Sequence, residues 1–496
     1  MRIHLMFVDK SFNKDQEETW NAKALIKDLD LEPILDAMAQ GDTFIKEVAT
    51  KALISGVTKI EDIRYRQDAM KDVIRNPKAI REAYRVLTEV FAKIRSMWIL
   101  NSDRSPDSSV FYSVRILEMH LDGLDKIREI FLQNESGFTS KAFLSLIEAL
   151  KHFDREYIGS VKENLALLEF PNGLSVKVTL GREAELSQFR LLKPAQKSGL
   201  TGLLSRMGGG RRYSWSLPPR DESGGQEIEN IKNLSLERVA KVLRVASKHV
   251  EQFMESLRIE LGFYVGSLNL WDRLKQIGAP LCFPTPLEQG TLRFNCLVES
   301  ALALRKQGVP VCNSLDSNAR HIILVSGANR GGKTVFLRSI GQAQLMMMCG
   351  MFVTAEKFES SISTGIFTHF KVDEEANLKK GRLEEEIERM SLIVQHVRPG
   401  SIVFMNESFS STNEREGSEI ARQVVCALAD LGVKVLYVTH FYEIQMWLAQ
   451  NRALDTVFLR AERKEDGTRT YRIVPEEPKE TSYAEDVYRK VFGQEI

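Results

Sequence analysis

Gly327-Ala-Asn-Arg-Gly-Gly-Lys-Thr334 fits the phosphate-loop pattern G-x-x-x-x-G-K-[ST]. The apolar run Ile322-Ile-Leu-Val325 precedes it as a strand, and Val335 to Met348 follows as a helix. A chance match would lack these flanks, so the context makes the signal strong. The glycines let the backbone curl until its N–H groups face a phosphate, and the helix N-terminus adds positive potential. Gly327, Asn329, Gly331 and Gly332 therefore line the expected nucleotide site. Lys333 is expected to reach the β- and γ-phosphates, and the Thr334 hydroxyl to ligate Mg²⁺.

A carboxylate site is expected at the end of a second strand. Ser401-Ile-Val-Phe-Met-Asn-Glu407 supplies the apolar run and then Asn406-Glu407. ABC-type ATPases usually carry Asp-Glu here, the Asp holding the Mg²⁺ shell and the Glu polarising water. Glu407 is present for the second role. Asn406 can bond a metal-bound water but brings no charge, so slow hydrolysis and weak Mg²⁺ dependence are expected. A third strand, Val433 to Val438, ends in Thr439-His440, where His440 is suited to donate a bond to the γ-phosphate. About seventy residues separate Lys333 from Asn406, a distance that suits one compact α/β domain. Chromosome-maintenance ATPases instead put a long coiled coil between the two motifs.

Upstream, residues 22 to 100 read as helical, with apolar residues such as Leu31, Ile34, Leu35 and Met38 at three- and four-residue steps. A second helical stretch runs from Ser109 to Leu168. Leu174 to Leu180 alternates like a half-buried strand after the turn Pro171-Asn172-Gly173. Lys197 to Gly225 is rich in glycine and carries Lys197, Arg206, Arg211 and Arg212 beside Tyr213 and Trp215. It reads as a mobile loop, either a solvated insertion or a nucleic-acid contact. From Leu236 to Leu274 the apolar spacing alternates 3,4, predicting a long helix over 236–275, with Glu260 and Ser267 breaking the seam. Gly278 to Pro286 ends it.

The 496 residues exceed one ordinary core, and hydrophobic residues make up 43% of them. The net charge of +1 argues neither for nor against nucleic acid. The five cysteines form no C-x-x-C pair, so neither a disulfide framework nor a zinc site is expected, and a reducing, cytoplasmic setting fits. The short patch Ile3 to Val8 does not make a signal peptide, and Leu345 to Val353 is too short to cross a membrane.

Taken together, these residues resemble the MutS family of DNA-repair ATPases. The phosphate loop has that family's Asn in its third position. Met351 to Glu356, Gly365 to Phe370, Asp373-Glu374, the run from Asn406-Glu407 through Thr412 to Gly417, and Thr439-His440-Phe441 follow at similar spacings. Thr481 to Gly493 is similar to the family's closing helical segment at the dimer interface. The resemblance is specific over residues 290 to 496. It is weaker over the N-terminal half, where Ile60 to Gln67 and the long helix look like the family's core and lever. Three departures stand out. The sequence starts near the core region, with no Phe-x-Glu mismatch wedge. Asn406 replaces Asp. Gly381-Arg382-Leu383 stands where the trans-acting loop has Gly-Arg-Ser, and Glu384 to Glu388 reads as a solvated helix face.

The resulting expectation is an α plus α/β multidomain chain: a helical core over 1–105, lever helices over 106–280 with a clamp-like insertion near 171–230, and an ABC-type P-loop ATPase domain over 281–496. The resemblance implies ATP and Mg²⁺ as ligands, a homodimer, duplex or branched DNA and a repair-protein partner, and a nucleoid-associated place if bacterial. The first functional reading is a slow, DNA-modulated ATPase of repair or recombination. The alternative is a nucleotide-gated scaffold with little hydrolysis.

Overall fold

The computed structural model describes residues 4–99, 105–170, 173–180, 186–192, 218, 221–288, 290–317, 320–371, 381–451, 455–464 and 468–478. Its helices are α1 (Ala22–Asp28), α2 (Glu32–Ala39), α3 (Thr43–Ser55), α4 (Ile60–Arg75), α5 (Pro77–Ile99), α6 (Pro106–Gln133), α7 (Lys141–Lys151), α8 (Arg155–Leu167), α9 (Glu222–Ile277), α10 (Ser300–Lys306), α11 (Lys333–Met348), α12 (Arg382–His396), α13 (Glu414–Asp430) and α14 (Tyr442–Gln450). Its strands are β1 (Val176–Leu180), β2 (Leu186–Leu191), β3 (Thr285–Leu287), β4 (Leu292–Leu297), β5 (Asn313–Asp316), β6 (Ile322–Ser326), β7 (Lys357–Ser361), β8 (Ile366–Phe370), β9 (Ile402–Asn406), β10 (Lys434–Val438), β11 (Thr456–Arg463) and β12 (Arg469–Pro475). The chain divides into two compact units.

One unit comprises Lys78–Ser136 and Leu144–Arg258. Its core gathers Val110, Val114, Leu117 and Leu121 of α6, Ile158 and Leu165 of α8, and Leu236, Ala240 and Leu243 of α9. These residues recur every three or four positions, which is what lets each helix present one apolar stripe. Ser105 caps α6 by accepting the Ser108 N–H at 3.2 Å, with Pro106 at the first helical position. β1 and β2 pair antiparallel.

The other unit comprises His4–Pro77, Gly137–Phe143 and the chain from Ile259 onward. Its larger sheet has the order β12-β11-β6-β10-β9-β8. Every neighbouring pair is parallel except β11 with β12. The interior strands β6 and β10 and the edge strand β8 are buried at every position, as parallel strands covered on both faces are. A second sheet has the order β3-β7-β4-β5. The N-terminal helices pack into this unit by side-chain-to-backbone bonds. Asn21 donates to Ile366 O at 2.8 Å, Gln67 to Pro284 O at 2.8 Å, and Gln342 to Leu29 O at 2.9 Å.

Two expectations are corrected. The long helix begins at Glu222, not near 236, and takes in Gly224 and Gly225 of the glycine-rich stretch. Asp221 Oδ1 accepts the Gly224 N–H at 2.9 Å, a local cap that outweighs the low helix propensity of glycine. Cys296 and Cys312 form a disulfide, with Cα atoms 4.7 Å apart. β4 and β5 are antiparallel with a register shift between Phe294 and Leu297, and that brings the two cysteines opposite each other. Sequence spacing alone does not show such cross-strand neighbours. Lys197, Arg206, Arg211 and Arg212 lie outside the described residues, as do Asp373, Glu374 and Thr481 to Gly493. Among the described residues no helix is long and apolar enough to cross a membrane.

Candidate active site

The loop 327–332 leaves the C-terminal end of β6 and enters α11 at Lys333. Gly327 and Gly332 adopt positive φ values of 112° and 94°. A Cβ on Gly331 would lie 2.8 Å from Ala461 Cβ and 2.9 Å from Ala328 O, so β11 leaves room there only for glycine. Arg330, with φ 62°, completes the curl, and Asn329 is exposed on it.

Lys333 is buried, and its Nζ donates to Gly327 O at 2.8 Å and Ala328 O at 3.1 Å. Burial pushes its pKa down, while the negative charge of Glu407 pulls it up. That coupling puts the Glu407 carboxylate within electrostatic reach of the loop. Thr334 Oγ1 donates to Asn406 Oδ1 at 3.2 Å. A hydroxyl and an amide oxygen thus meet beside the loop, the hard oxygen donors that suit Mg²⁺, an ion that keeps waters and shares few protein ligands. Among the described residues no group of three or more His, Cys, Asp or Glu forms a separate metal cage.

Asn406 closes β9, and the next residues make a strained turn. Glu407 has φ 51° and Phe409 φ 65°, left-handed values that cost a non-glycine residue about 1 kcal/mol or more each. The turn is tied down on several sides. Glu407 N–H donates to Val438 O at 2.8 Å, Tyr437 Oη donates to Ser408 O at 3.2 Å, and Phe409 is fully buried. A Cβ on Gly417 would lie 2.7 Å from Phe409 O, so α13 backs the turn closely.

His440 is exposed after β10, its ring edge-on to Phe441 at 4.8 Å. The Thr439 N–H donates to Val325 O at 3.2 Å, so the ends of β10 and β6 are adjacent. The structure therefore gathers Lys333, Thr334, Asn406 and Glu407, and sets His440 on the neighbouring strand end.

Sequence reasoning missed a second layer. His369 of β8 is fully buried, with Nδ1 2.7 Å from Ser408 Oγ and Nε2 2.9 Å from Glu386 O. Burial holds its pKa down at about 4. The signal available was a histidine in the middle of the apolar run Ile366 to Phe370, which a buried strand must satisfy with hydrogen bonds. The expected solvated face at Glu384 to Glu388 is corrected in part. Glu384 and Glu388 are exposed, but Glu386 is buried and its pKa is raised by burial. It faces the sheet because α12 packs Met390 and Ile393 into the core, and Glu386 sits one turn before Met390.

Residues 58–277 match the family described as the MutS2 N-terminal domain, and residues 323–492 match MutS domain V. The chain belongs to the MutS family. It is 26% identical over 276 residues to the DNA mismatch repair protein MutS of Thermus thermophilus, covering 56% of this chain and 33% of that protein. The MutS of Leptospira interrogans is 24% identical over 241 residues, 48% of this chain and 28% of its own. The MutS of Chloroflexus aurantiacus is 29% identical over 133 residues, 26% of this chain and 14% of its own. The chain thus spans a third or less of the MutS relatives it matches.

Proposed function

We propose that this MutS-family chain is an ABC-type P-loop ATPase that binds DNA and couples nucleotide turnover to movement of its long helices in repair or recombination. The observation carrying this reading is the Thr334–Asn406 contact at 3.2 Å beside Lys333, with Glu407 on the adjoining turn. On binding, the Lys333 ammonium would exchange the carbonyls of Gly327 and Ala328 for phosphate oxygens. Glu407 would accept a hydrogen bond from the attacking water and aim it, a role of general-base type. His440 would donate to the terminal phosphate from the end of β10. Mg²⁺, held by Thr334 and through water by Asn406, would supply charge neutralisation of the phosphates. The family resemblance further supports two copies meeting head to tail, each lending a loop to the other's nucleotide.

A second reading has its own observation. Asn406 brings no negative charge to the metal side, and Leu383, half-buried at the start of α12, offers no hydroxyl to a partner's nucleotide. Both favour a nucleotide-gated scaffold with little hydrolysis. The deciding experiment is ATP hydrolysis by the purified chain with and without duplex and branched DNA, beside a Glu407→Ala variant. Turnover altered by DNA and abolished by the substitution supports the ATPase. ATP binding without turnover, indifferent to DNA, leaves the scaffold. DNA affinity that falls steeply with salt would separately support direct phosphate contact.

A further inference from the structure

We infer that His369 is a positioning residue, which holds the turn bearing Glu407 through Ser408; this rests on the reading of Glu407 as the residue that polarises water. The geometry leaves the imidazole one useful arrangement. Nε2 faces the carbonyl of Glu386 at 2.9 Å, and a carbonyl only accepts, so Nε2 carries the hydrogen. In the neutral ring Nδ1 is then a bare acceptor, 2.7 Å from Ser408 Oγ. The single Ser408 hydroxyl hydrogen is shared between Nδ1 and the His369 carbonyl, the latter at 2.8 Å. Ser408 is thereby fixed to β8 at its side chain and to β10 at its carbonyl, through Tyr437 Oη. Its chain neighbours on both sides, Glu407 and Phe409, hold left-handed backbone angles.

A turn with two such residues relaxes when its restraints are removed, and the carboxylate it carries moves with it. Ser408 adjoins Glu407 in the chain, so a loss at His369 is transmitted over one peptide unit. Among the described residues His369 makes no hydrogen bond to the phosphate loop or Thr334, so nucleotide binding does not depend on it directly. The ring also ties the turn to α12 through Glu386 O, which makes the position of Glu407 depend on that helix.

The test uses the full chain and three readouts: steady-state ATP hydrolysis, affinity for a fluorescent ATP analogue, and amide hydrogen exchange over residues 404–412 with residues 322–340 as control. His369→Ala and Ser408→Ala are expected to lower kcat about 10-fold or more while analogue affinity stays within about threefold. Exchange should quicken in 404–412 and not in the control. The double variant should lose less than the two single losses combined, since both remove the Nδ1–Oγ link. His369→Asn keeps an acceptor toward Ser408 and should recover most of the loss. Unchanged kcat and exchange in His369→Ala would overturn the inference, as would an equal loss of kcat and analogue affinity. Glu407→Gln should abolish turnover without altering exchange in 404–412. If the wild-type chain does not turn over, the reading of Glu407 fails, and exchange alone then decides: faster in 404–412 upholds the role of His369, unchanged rejects it.

Discussion

At the scale of single residues, the site depends on small steric and charge differences. Gly331 has no space for a Cβ between Ala461 and Ala328 O, so Gly331→Ala should push the loop away from β11. ATP-analogue binding measured by fluorescence should weaken by an order of magnitude or more, with the melting temperature little changed. Asn406→Asp would place a carboxylate where an amide oxygen now meets Thr334. It should lower the Mg²⁺ concentration needed for half-maximal hydrolysis and raise kcat, which a metal titration of ATPase activity checks; an unchanged titration would separate Asn406 from the metal. The loop, Asn406, Glu407 and His440 were legible in the sequence because each follows directly on an apolar strand. His369 was not legible, because the partner that satisfies it, Ser408, lies on another strand's end, and only the pairing of β8 with β9 brings them together.

At the scale of elements, α9 shows how a break in a pattern carries meaning. Glu260 interrupts the apolar seam, and the structure buries it. Its carboxylate accepts the N–H groups of Leu5 at 2.5 Å and Phe12 at 3.0 Å, while Tyr264 Oη donates to Leu5 O at 2.6 Å. Arg66 of α4 donates to Met6 O at 2.6 Å and to Cys349 O at 3.3 Å, at the end of the phosphate-loop helix. The N-terminal segment is thus latched between the long helix and α11. Burial pushes Glu260 up to about 7 from its ordinary 4.5, despite its backbone bonds and Arg66. A raised carboxyl pKa means that the folded state binds the extra proton between those two values. Its contribution to stability is therefore complete below about pH 4.5 and is lost as pH rises through 7. Melting temperature measured from pH 5 to 8 should fall less steeply in Glu260→Gln than in the wild type. Arg66→Ala leaves the Met6 and Cys349 carbonyls without their donor and removes the positive charge that favours the Glu260 carboxylate, so it should cost about 3 kcal/mol or more in denaturant unfolding.

At the scale of the whole molecule, sequence order and spatial grouping part company. The helices before Pro77 belong with the α/β sheets, while Lys78–Ser136 and the first part of α9 form the other unit. Within the sheet unit, the Cys296–Cys312 bond closes a loop with a sequence separation of 16. Cross-linking a loop of that size stabilises by about 3 kcal/mol by restricting the unfolded chain. A reductant should therefore lower the melting temperature of the wild type and leave a Cys296→Ser, Cys312→Ser double variant unchanged. Equal melting of the wild type with and without reductant would show that the bond adds nothing to stability.

The sequence by itself determined the local features. Largely apolar runs that lead into Asn-Glu or Thr-His, glycines ahead of Lys333-Thr334, and three-and-four spacing along the long helix are all readable from near neighbours, because strand and helix periodicity and loop sterics act over a few positions. Only the tertiary structure decided which strand ends meet, that Glu386 and Glu260 turn inward, that two cysteines face across a bulge, and that the N-terminal helices join the sheets. Those outcomes depend on contacts between residues tens to hundreds of positions apart, and burial, not propensity, selects them.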